Sequence, residues 1–573
     1  MGNSQRRAAL VAVVTAAVGL SACAGEMLSR RIDDEEKIVA STHGAASAAA
    51  VAREESAGSD LVLARQANPR LKSLGISTSM GRSTTAAMYR QDFHTEQYDV
   101  IDEDGFVDVS RKPLSTFSVD VDTASYSNVR RFLRAGHLPP GGAVRIEELI
   151  NYFAYDYPKD PGERPFSVVA ELASAPWKPE HRLLLVGLQG KELAAENVPP
   201  RNLVFLIDVS GSMQPDSKLP LLKEALAGLV GELRREDHVS IVVYAGASGE
   251  VLPPTSGARK ERVLDALARL QAGGSTNGGD GIRLAYSLAR KHFDADAINR
   301  VILATDGDFN IGTTSRSELQ ELIEKERESG VFLTVLGVGE GNLKDATMEQ
   351  LADHGNGNYA YLDTPAEARK VLVLEASGTL VTIAKDVKVQ VEFNPARVAA
   401  YRLIGYENRR LADRDFNDDK KDAGEIGAGH SVTALYEIVP VGVEVDAGDV
   451  DALRYQTPRD ASDASTSGEL ATVKLRYKKP DGDASELLSV AVDDDEAAFA
   501  AASTNMRFAT AVAAFGMVLR DSEYRGSASL AMAQQLARDA LGDDPHAYRA
   551  EFVRMVATAG ELHAMRERDE KTN

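Results

Sequence analysis

Between residues 201 and 378 the sequence alternates short apolar runs with amphipathic segments. Residues 203–207 and 301–304 are continuous apolar runs, which is typical of strands covered on both faces of a sheet. Between residues 219 and 233, leucines recur at spacings of three and four and predict a helix with one apolar stripe. Strands that alternate with helices predict an α/β fold with a doubly wound, mostly parallel sheet.

Three polar segments stand out, two of them directly after these apolar runs. Residues 208–212 read Asp-Val-Ser-Gly-Ser, residues 273–277 read Gly-Gly-Ser-Thr-Asn, and residues 305–307 read Thr-Asp-Gly. Each segment alone is explained by a helix cap or a turn. The carboxyl ends of the strands of an open α/β sheet form its ligand-binding edge, so we expect these side chains to meet there. The candidate metal ligands are five oxygen-bearing residues: Asp208, Ser210, Ser212, Thr276 and Asp306.

Taken in order and in strand context, the three segments resemble the metal-ion-dependent adhesion site (MIDAS) of von Willebrand factor type A (VWA) domains. The resemblance implies a divalent cation, with Mg²⁺ favoured and Mn²⁺ or Ca²⁺ as alternatives. Mg²⁺ takes six oxygen ligands and sheds water reluctantly. The hydroxyls of Ser210, Ser212 and Thr276 are then direct ligands, whereas Asp208 and Asp306 act mainly through water, as in the family. A cation with neutral direct ligands stays electrophilic and accepts an Asp or Glu from a partner protein.

Three functions are therefore compared. The first is a metal-dependent protein-binding module for adhesion or scaffolding, and the second is a metal-dependent hydrolase that uses the same cation. The third is a structural scaffold with a non-functional metal site. The hydrolase lacks an evident nucleophile or histidine cluster, and Asp308 is its nearest candidate base. We therefore expect no enzyme. We also expect Asp208→Ala and Thr276→Ala to abolish metal-dependent binding without unfolding, because ligands on loop tips lie outside the core.

The N-terminus carries a secretion pattern. Arg6 and Arg7 precede an apolar run at residues 8–20, which is too short to span a bilayer but suits a signal peptide. The following Leu-Ser-Ala-Cys resembles a bacterial lipobox and implies lipidation of Cys23, the only cysteine. The next residue, Ala24, is not the aspartate that retains lipoproteins in the inner membrane, so the resemblance implies the outer membrane of the cell envelope. The formal charge of −21 argues against nucleic-acid binding.

After about residue 383 the apolar period changes to two, which predicts antiparallel strands in a β-sandwich, and the last 70 or so residues read as helices. A lone hairpin is marginal in water, so we predict that strands before residue 190 and after residue 385 share one sandwich, with the α/β domain inserted between them. Residues 117–132, 404–409 and 521–524 add to a resemblance to bacterial VWA lipoproteins.

The predicted organisation has seven parts: a lipoprotein signal peptide (1–22), a flexible tether (23–88), an N-terminal VWA-associated module (89–160), strands that join the β-sandwich (161–200), the VWA domain with its MIDAS (201–378), the β-sandwich extension (379–498) and a C-terminal helical region (499–573).

Two further acidic motifs have simpler interpretations. Asp120-Val121-Asp122 is superficially like a phosphatase nucleophile motif, but Ala124 departs from it, so turn-capping carboxylates are favoured. Residues 413–424 begin like an EF-hand calcium loop. Asp418 stands where that loop needs glycine and Gly424 where it needs glutamate, which favours a solvated acidic loop.

Overall fold

The computed structural model describes residues 96–572 except for residues 97, 120–121, 160–161, 246–247, 275–277, 308–315, 342, 377–379, 446–461, 481 and 495–496. The predicted signal peptide and tether, Cys23, Thr276 and Asp308 lie outside the described residues. Within the described part, no helix is both long enough and apolar enough to cross a bilayer.

The described strands, in chain order, are β1 (Val107–Asp108), β2 (Leu114–Ser118), β3 (Phe166–Ala175), β4 (Lys178–Gly190), β5 (Arg201–Asp208), β6 (His238–Tyr244), β7 (Ser248–Ser256), β8 (Ile298–Thr305), β9 (Phe332–Val338), β10 (Tyr359–Leu362), β11 (Thr382–Phe393), β12 (Val398–Ile404), β13 (Ile426–Gly427), β14 (Ser431–Pro440), β15 (Glu469–Lys478) and β16 (Ser485–Asp493).

The described α-helices are α1 (Ala124–Arg134), α2 (Ile146–Asn151), α3 (Leu219–Gly231), α4 (Lys260–Ala268), α5 (Gly278–Lys291), α6 (Arg316–Glu328), α7 (Asp345–His354), α8 (Pro365–Arg369), α9 (Thr504–Arg520), α10 (Leu530–Asp539) and α11 (Tyr548–Thr572). A π-helical turn, Lys370–Leu374, continues α8.

A six-stranded sheet forms the centre of the molecule, in the order β10-β9-β8-β5-β6-β7. Its strands are parallel except for β7, which is antiparallel to β6. Apolar residues of α3, α4 and α8 pack on one face, and those of α5, α6 and α7 pack on the other. The predicted doubly wound α/β fold is confirmed, and it follows from strands such as β5, which is buried along its whole length.

Two antiparallel sheets form a sandwich beside the α/β domain. One has the order β1-β12-β14-β4-β3, and the other the order β13-β11-β15-β16 with β2 also paired to β11. Strand β4 pairs with β14 such that Leu185 lies opposite Leu435. Residues of both sheets share one apolar core. The prediction that strands before residue 190 and after residue 385 belong to one sandwich is confirmed.

The segment predicted as an N-terminal module contributes mainly to two cores, and its Ala124 also lies in a core of the α/β domain. Its strand β2 pairs with β11 of the sandwich, with Phe117 opposite Val389. Its helices α1 and α2 pack instead against α9, α10 and α11 in a second apolar core. In that core the rings of Tyr126 and Tyr152 stack with centroids 3.6 Å apart, and Phe153 meets Phe508 edge-on. The segment therefore joins the sandwich to the C-terminal helices.

The described residues of both secondary acidic motifs are engaged in structural contacts, while Asp120 and Val121 lie outside the described residues. The carboxylate of Asp122 accepts hydrogen bonds from the backbone N–H of Tyr359 at 2.8 Å and from the guanidinium of Arg409 at 3.1 Å. In the loop that begins like an EF-hand, the Nζ of Lys388 donates to the backbone carbonyls of Asp415 and Asp418. A lysine ammonium thus lies among the loop carbonyls, which supports the prediction of an acidic loop rather than a calcium site.

Candidate metal centre

Asp208, the last residue of β5, lies at the carboxyl edge of the central sheet and is fully buried. Its Oδ1 accepts the backbone N–H of Ser210 at 2.8 Å, which fixes the turn that follows the strand. Its Oδ2 accepts the hydroxyl of Thr305, at the end of the neighbouring strand β8, at 3.3 Å. The Asp208 carboxylate therefore ties two adjacent strand ends together.

The two predicted serine ligands lie side by side in this turn. The Oγ atoms of Ser210 and Ser212 are 3.0 Å apart. Ser210 is buried, whereas Ser212 is half-buried, so the hydroxyl pair lies between the carboxylate and the surface. Neutral hydroxyls grouped in this way are suitable direct ligands for a hard divalent cation.

Backbone hydrogen bonds bring the second predicted loop alongside the first. The N–H of Gly211 donates to the carbonyl of Gly274 at 3.1 Å, and the N–H of Gly273 donates to the carbonyl of Val209 at 2.7 Å. Gly274 lies two residues before Thr276, which is outside the described residues. Its role as a ligand stays a prediction.

Asp306 follows β8 and is buried, and it forms an ion pair that the sequence analysis missed. Its Oδ2 lies 2.7 Å from the Nζ of Lys218, which precedes α3 and is also buried. A cation is disfavoured at a helix N-terminus, because the helix dipole is positive there. A lysine at that position, six residues after Ser212, was the only signal in the sequence that could have identified this contact.

The electrostatics of the site leave room for a further cation. Burial and, to a smaller extent, the nearby charge of Asp306 raise the pKa of the Asp208 carboxyl to about 6, while hydrogen bonds from Ser210 oppose the change. The group contains two buried carboxylates and one lysine ammonium, which pairs with Asp306, so its formal charge is negative. A divalent ion bound by the serine hydroxyls would compensate that charge, and the described residues therefore fit the cation that the sequence predicts.

The site differs from a carboxylate- and histidine-based metal centre. Across the described part of the chain, no group of three or more His, Cys, Asp and Glu side chains is placed to hold a metal ion. Any cation at this edge would consequently depend on hydroxyl ligands, as Ser210 and Ser212 offer. The geometry brings Asp208, Ser210, Ser212 and Asp306 to one strand edge, and their binding of a metal stays a prediction.

Comparison with known proteins identifies the chain's relatives. Three family models match: von Willebrand factor at residues 92–185, von Willebrand factor type A domain at residues 202–372, and "Uncharacterized protein YfbK, C-terminal" at residues 378–562. Protein YfbK of Escherichia coli (strain K12) is 47% identical over 472 residues, which cover 81% of each chain. The chain belongs to the YfbK family of VWA proteins. This confirms the predicted VWA domain and α/β fold.

This YfbK-family chain also has more distant similarities. The human inter-alpha-trypsin inhibitor heavy chain H3 is 27% identical over 263 residues, which are 42% of this chain and 29% of that protein. Among solved structures, a von Willebrand factor type A protein from Catenulispora acidiphila matches with a TM-score of 0.39 at 16% identity. That match covers 70% of this chain and 91% of the other. The VWA match of the YfbK-family chain, residues 202–372, spans all five predicted ligand positions.

Proposed function

We propose that this chain is a cell-envelope lipoprotein that binds a partner protein through a divalent cation, with Mg²⁺ favoured. The cation is held by Asp208, Ser210, Ser212, Thr276 and Asp306, and it captures an Asp or Glu carboxylate of the partner. The single observation that carries the proposal is the pair of serine hydroxyls, 3.0 Å apart, in front of a buried carboxylate at a strand edge.

The chemistry of this donor set favours capture of a carboxylate. Hydroxyl ligands carry no formal negative charge and do not neutralise the cation. The cation therefore keeps much of its positive charge on the side that faces solvent. The two aspartates compensate that charge from behind, where they are buried. A partner carboxylate is a hard oxygen ligand that can replace a bound water in the open position. A VWA domain fits this role as a protein-interaction module.

We propose binding rather than catalysis. Metal-dependent hydrolysis needs a metal-bound water and a base positioned to take its proton. At this edge the polar groups next to the carboxylates already have structural contacts, since Thr305 donates to Asp208 and Lys218 pairs with Asp306. Turnover of phosphoester or peptide substrates by the purified chain would contradict this part of the proposal.

The anchor and location form a separate part of the proposal. Acylation of Cys23 would attach the chain to the outer membrane, and residues 24–88 would separate the folded part from the bilayer. Several acyl chains hold a protein on a membrane stably, whereas a single chain does not. Substitution of Cys23 by Ser should release the protein from the membrane fraction, and retention would contradict the anchor without affecting the metal site.

The binding proposal is tested with the soluble form that starts after Cys23. Calorimetry with Mg²⁺ and Mn²⁺ measures cation binding by the wild type, by Asp208→Asn and by the control Asp216→Asn, which changes an exposed carboxylate of the same loop. Affinity capture from envelope extract, in Mg²⁺ and in EDTA, then measures partner binding. The proposal is supported if a partner is captured in Mg²⁺ but not in EDTA, and if the wild type and the control capture it but Asp208→Asn does not. Equal recovery in every sample would move binding to the sandwich or the C-terminal helices.

A further inference from the structure

The buried ammonium of Lys218 is a positive charge built into a site that is expected to hold another cation. Its Nζ lies 2.7 Å from the Oδ2 of Asp306, and both side chains are at most 7% exposed. Burying an ammonium is costly unless a charged partner compensates it. The ion pair is therefore a defined feature of the site rather than a mobile surface contact.

The fold makes space for this lysine at the end of β9. Gly339 follows that strand with a φ of +79°, a conformation that L side chains rarely adopt. A Cβ at this position would overlap the aliphatic stem of Lys218. Because Gly339 has no side chain, the stem of Lys218 can pass beside it and the ammonium can reach Asp306.

The formal charges determine what this ammonium does to ligand binding. With a divalent cation present, the carboxylates of Asp208 and Asp306 together with Lys218 leave one net positive charge. Without the ammonium the same groups would be neutral. A single positive charge is what one partner carboxylate compensates. The ammonium therefore weakens cation binding and strengthens carboxylate binding, because it repels the first and attracts the second.

We propose that Lys218 sets the ligand preference of the metal site, so that the loaded site takes up a carboxylate rather than remaining electrically neutral. This inference rests on the proposed metal-dependent function and adds a residue outside the five predicted ligands. Lys218 acts through Asp306 and through its charge, so it is a positioning residue and not a ligand.

The test compares Lys218→Met with Lys291→Met, which removes an exposed lysine from the same domain and changes the net charge equally. Calorimetry with Mn²⁺ alone measures cation affinity. Removal of a nearby positive charge should tighten Mn²⁺ binding by about tenfold or more. The Mn²⁺-loaded proteins are then titrated with acetate, followed by the Mn²⁺ electron paramagnetic resonance spectrum. Acetate should bind several-fold more weakly to Lys218→Met than to the wild type, and Lys291→Met should match the wild type.

Thermal unfolding in EDTA gives a readout that needs no bound metal. Lys218→Met should lower the melting temperature, because the buried Asp306 carboxylate then faces no ammonium, and the added Asp306→Asn should restore it. If Lys218→Met does not fold, Lys218→Gln replaces it, since its amide can still donate to Asp306.

The outcomes separate the two proposals. Wild-type protein that takes up no Mn²⁺ would overturn the metal site and this inference together. Wild-type protein that binds Mn²⁺, with unchanged or weaker Mn²⁺ binding in the Lys218 variant, would overturn this inference and leave the metal site intact. Tighter Mn²⁺ binding without weaker acetate binding would also overturn it, because the ammonium would then affect the cation alone.

Discussion

Arg130 of α1 and Glu367 of α8 form an ion pair in which Nη2 and Oε2 are 2.7 Å apart. The two side chains are 4% and 1% exposed. Arg130 also donates to Asp363, at the end of β10, and Tyr152 donates its hydroxyl to the same Glu367 oxygen. The last helix of the VWA domain is thus fixed to the helices that precede the domain in sequence.

Arg130→Met should therefore destabilise the chain strongly. It removes the cation from two buried carboxylates, and breaking one side of a buried ion pair costs about 3–5 kcal/mol. Urea unfolding measures the change. The control is Arg134→Met, since Arg134 contacts Asp363 and Glu551 but its side chain is 50% exposed. A surface pair of that kind is worth about 1 kcal/mol or less. Equal losses in both variants would contradict the structural role of Arg130.

Asp208→Asn should weaken Mg²⁺ binding and leave the fold intact. Loss of a residue that supports metal ligands typically costs about 10–100-fold in metal affinity. The asparagine oxygen can still accept the N–H of Ser210, so the turn is retained. Calorimetry and far-ultraviolet circular dichroism measure the two effects, with Asp216→Asn as the control. The expectation that this ligand lies on a loop tip is wrong, because Asp208 is fully buried; Asp208→Ala therefore does not separate binding from stability.

Glu349 of α7 gives the stability a pH dependence. Burial raises its pKa from 4.5 to about 7, while Arg145 and Arg409 oppose the change. The raised pKa means that the folded chain holds a proton that the unfolded chain has released. The stabilisation from that proton is present below about pH 4.5 and is lost as the pH rises to about 7, by up to about 3 kcal/mol. The other groups that face Glu349 are Asp345, Asp353 and Asn408.

Glu349→Gln should remove this dependence. The free energy of unfolding of the glutamine variant minus that of the wild type should be larger at pH 8 than at pH 5. Chemical unfolding at each pH measures this difference. Glu321→Gln, on an exposed position of α6, is the control because it should show no such difference. A stability difference between Glu349→Gln and wild type that stays constant from pH 5 to pH 8 would show that Glu349 is already ionised across this range.

Ca²⁺ should not stabilise the acidic loop at residues 413–424. The ammonium of Lys388 donates to the carbonyls of Asp415 and Asp418, so a cation already occupies their hydrogen-bonding capacity. Lys388→Met should lower the free energy of unfolding by about 1–3 kcal/mol, because two partly buried hydrogen bonds from a charged donor are lost. Thermal unfolding with and without Ca²⁺ measures both effects, and Lys420→Met is the exposed control. A clear rise in melting temperature of the wild type with Ca²⁺ would restore the EF-hand interpretation.

The features that the sequence predicts are those with a local period. The alternation of strands and helices identified the α/β domain, and the polar residues after two apolar runs identified Asp208 and Asp306 at its edge. The same reasoning could not find Lys218 or Arg130. Each acts through a partner at least 88 residues away, and no local pattern specifies which distant carboxylate a buried cation meets.

The extent of the N-terminal segment was also beyond local patterns. Its strand and helices were recognisable, but their division among separate cores depends on pairings such as Phe117 with Val389. The register between two strands so far apart in sequence is set by which apolar faces must be buried. The shared sandwich was predictable for a different reason: a hairpin that covers only one face needs further strands to be stable.

The pairing of Leu185 with Leu435 bears on how the chain is made. Strand β4 is synthesised long before β14, so the apolar β3–β4 hairpin must wait while the whole inserted domain emerges and folds. Contacts between such distant segments slow folding and leave strand edges open to aggregation. The hairpin is thus prone to aggregate in the nascent chain, and truncation before residue 431 should yield insoluble protein even with the inserted domain complete.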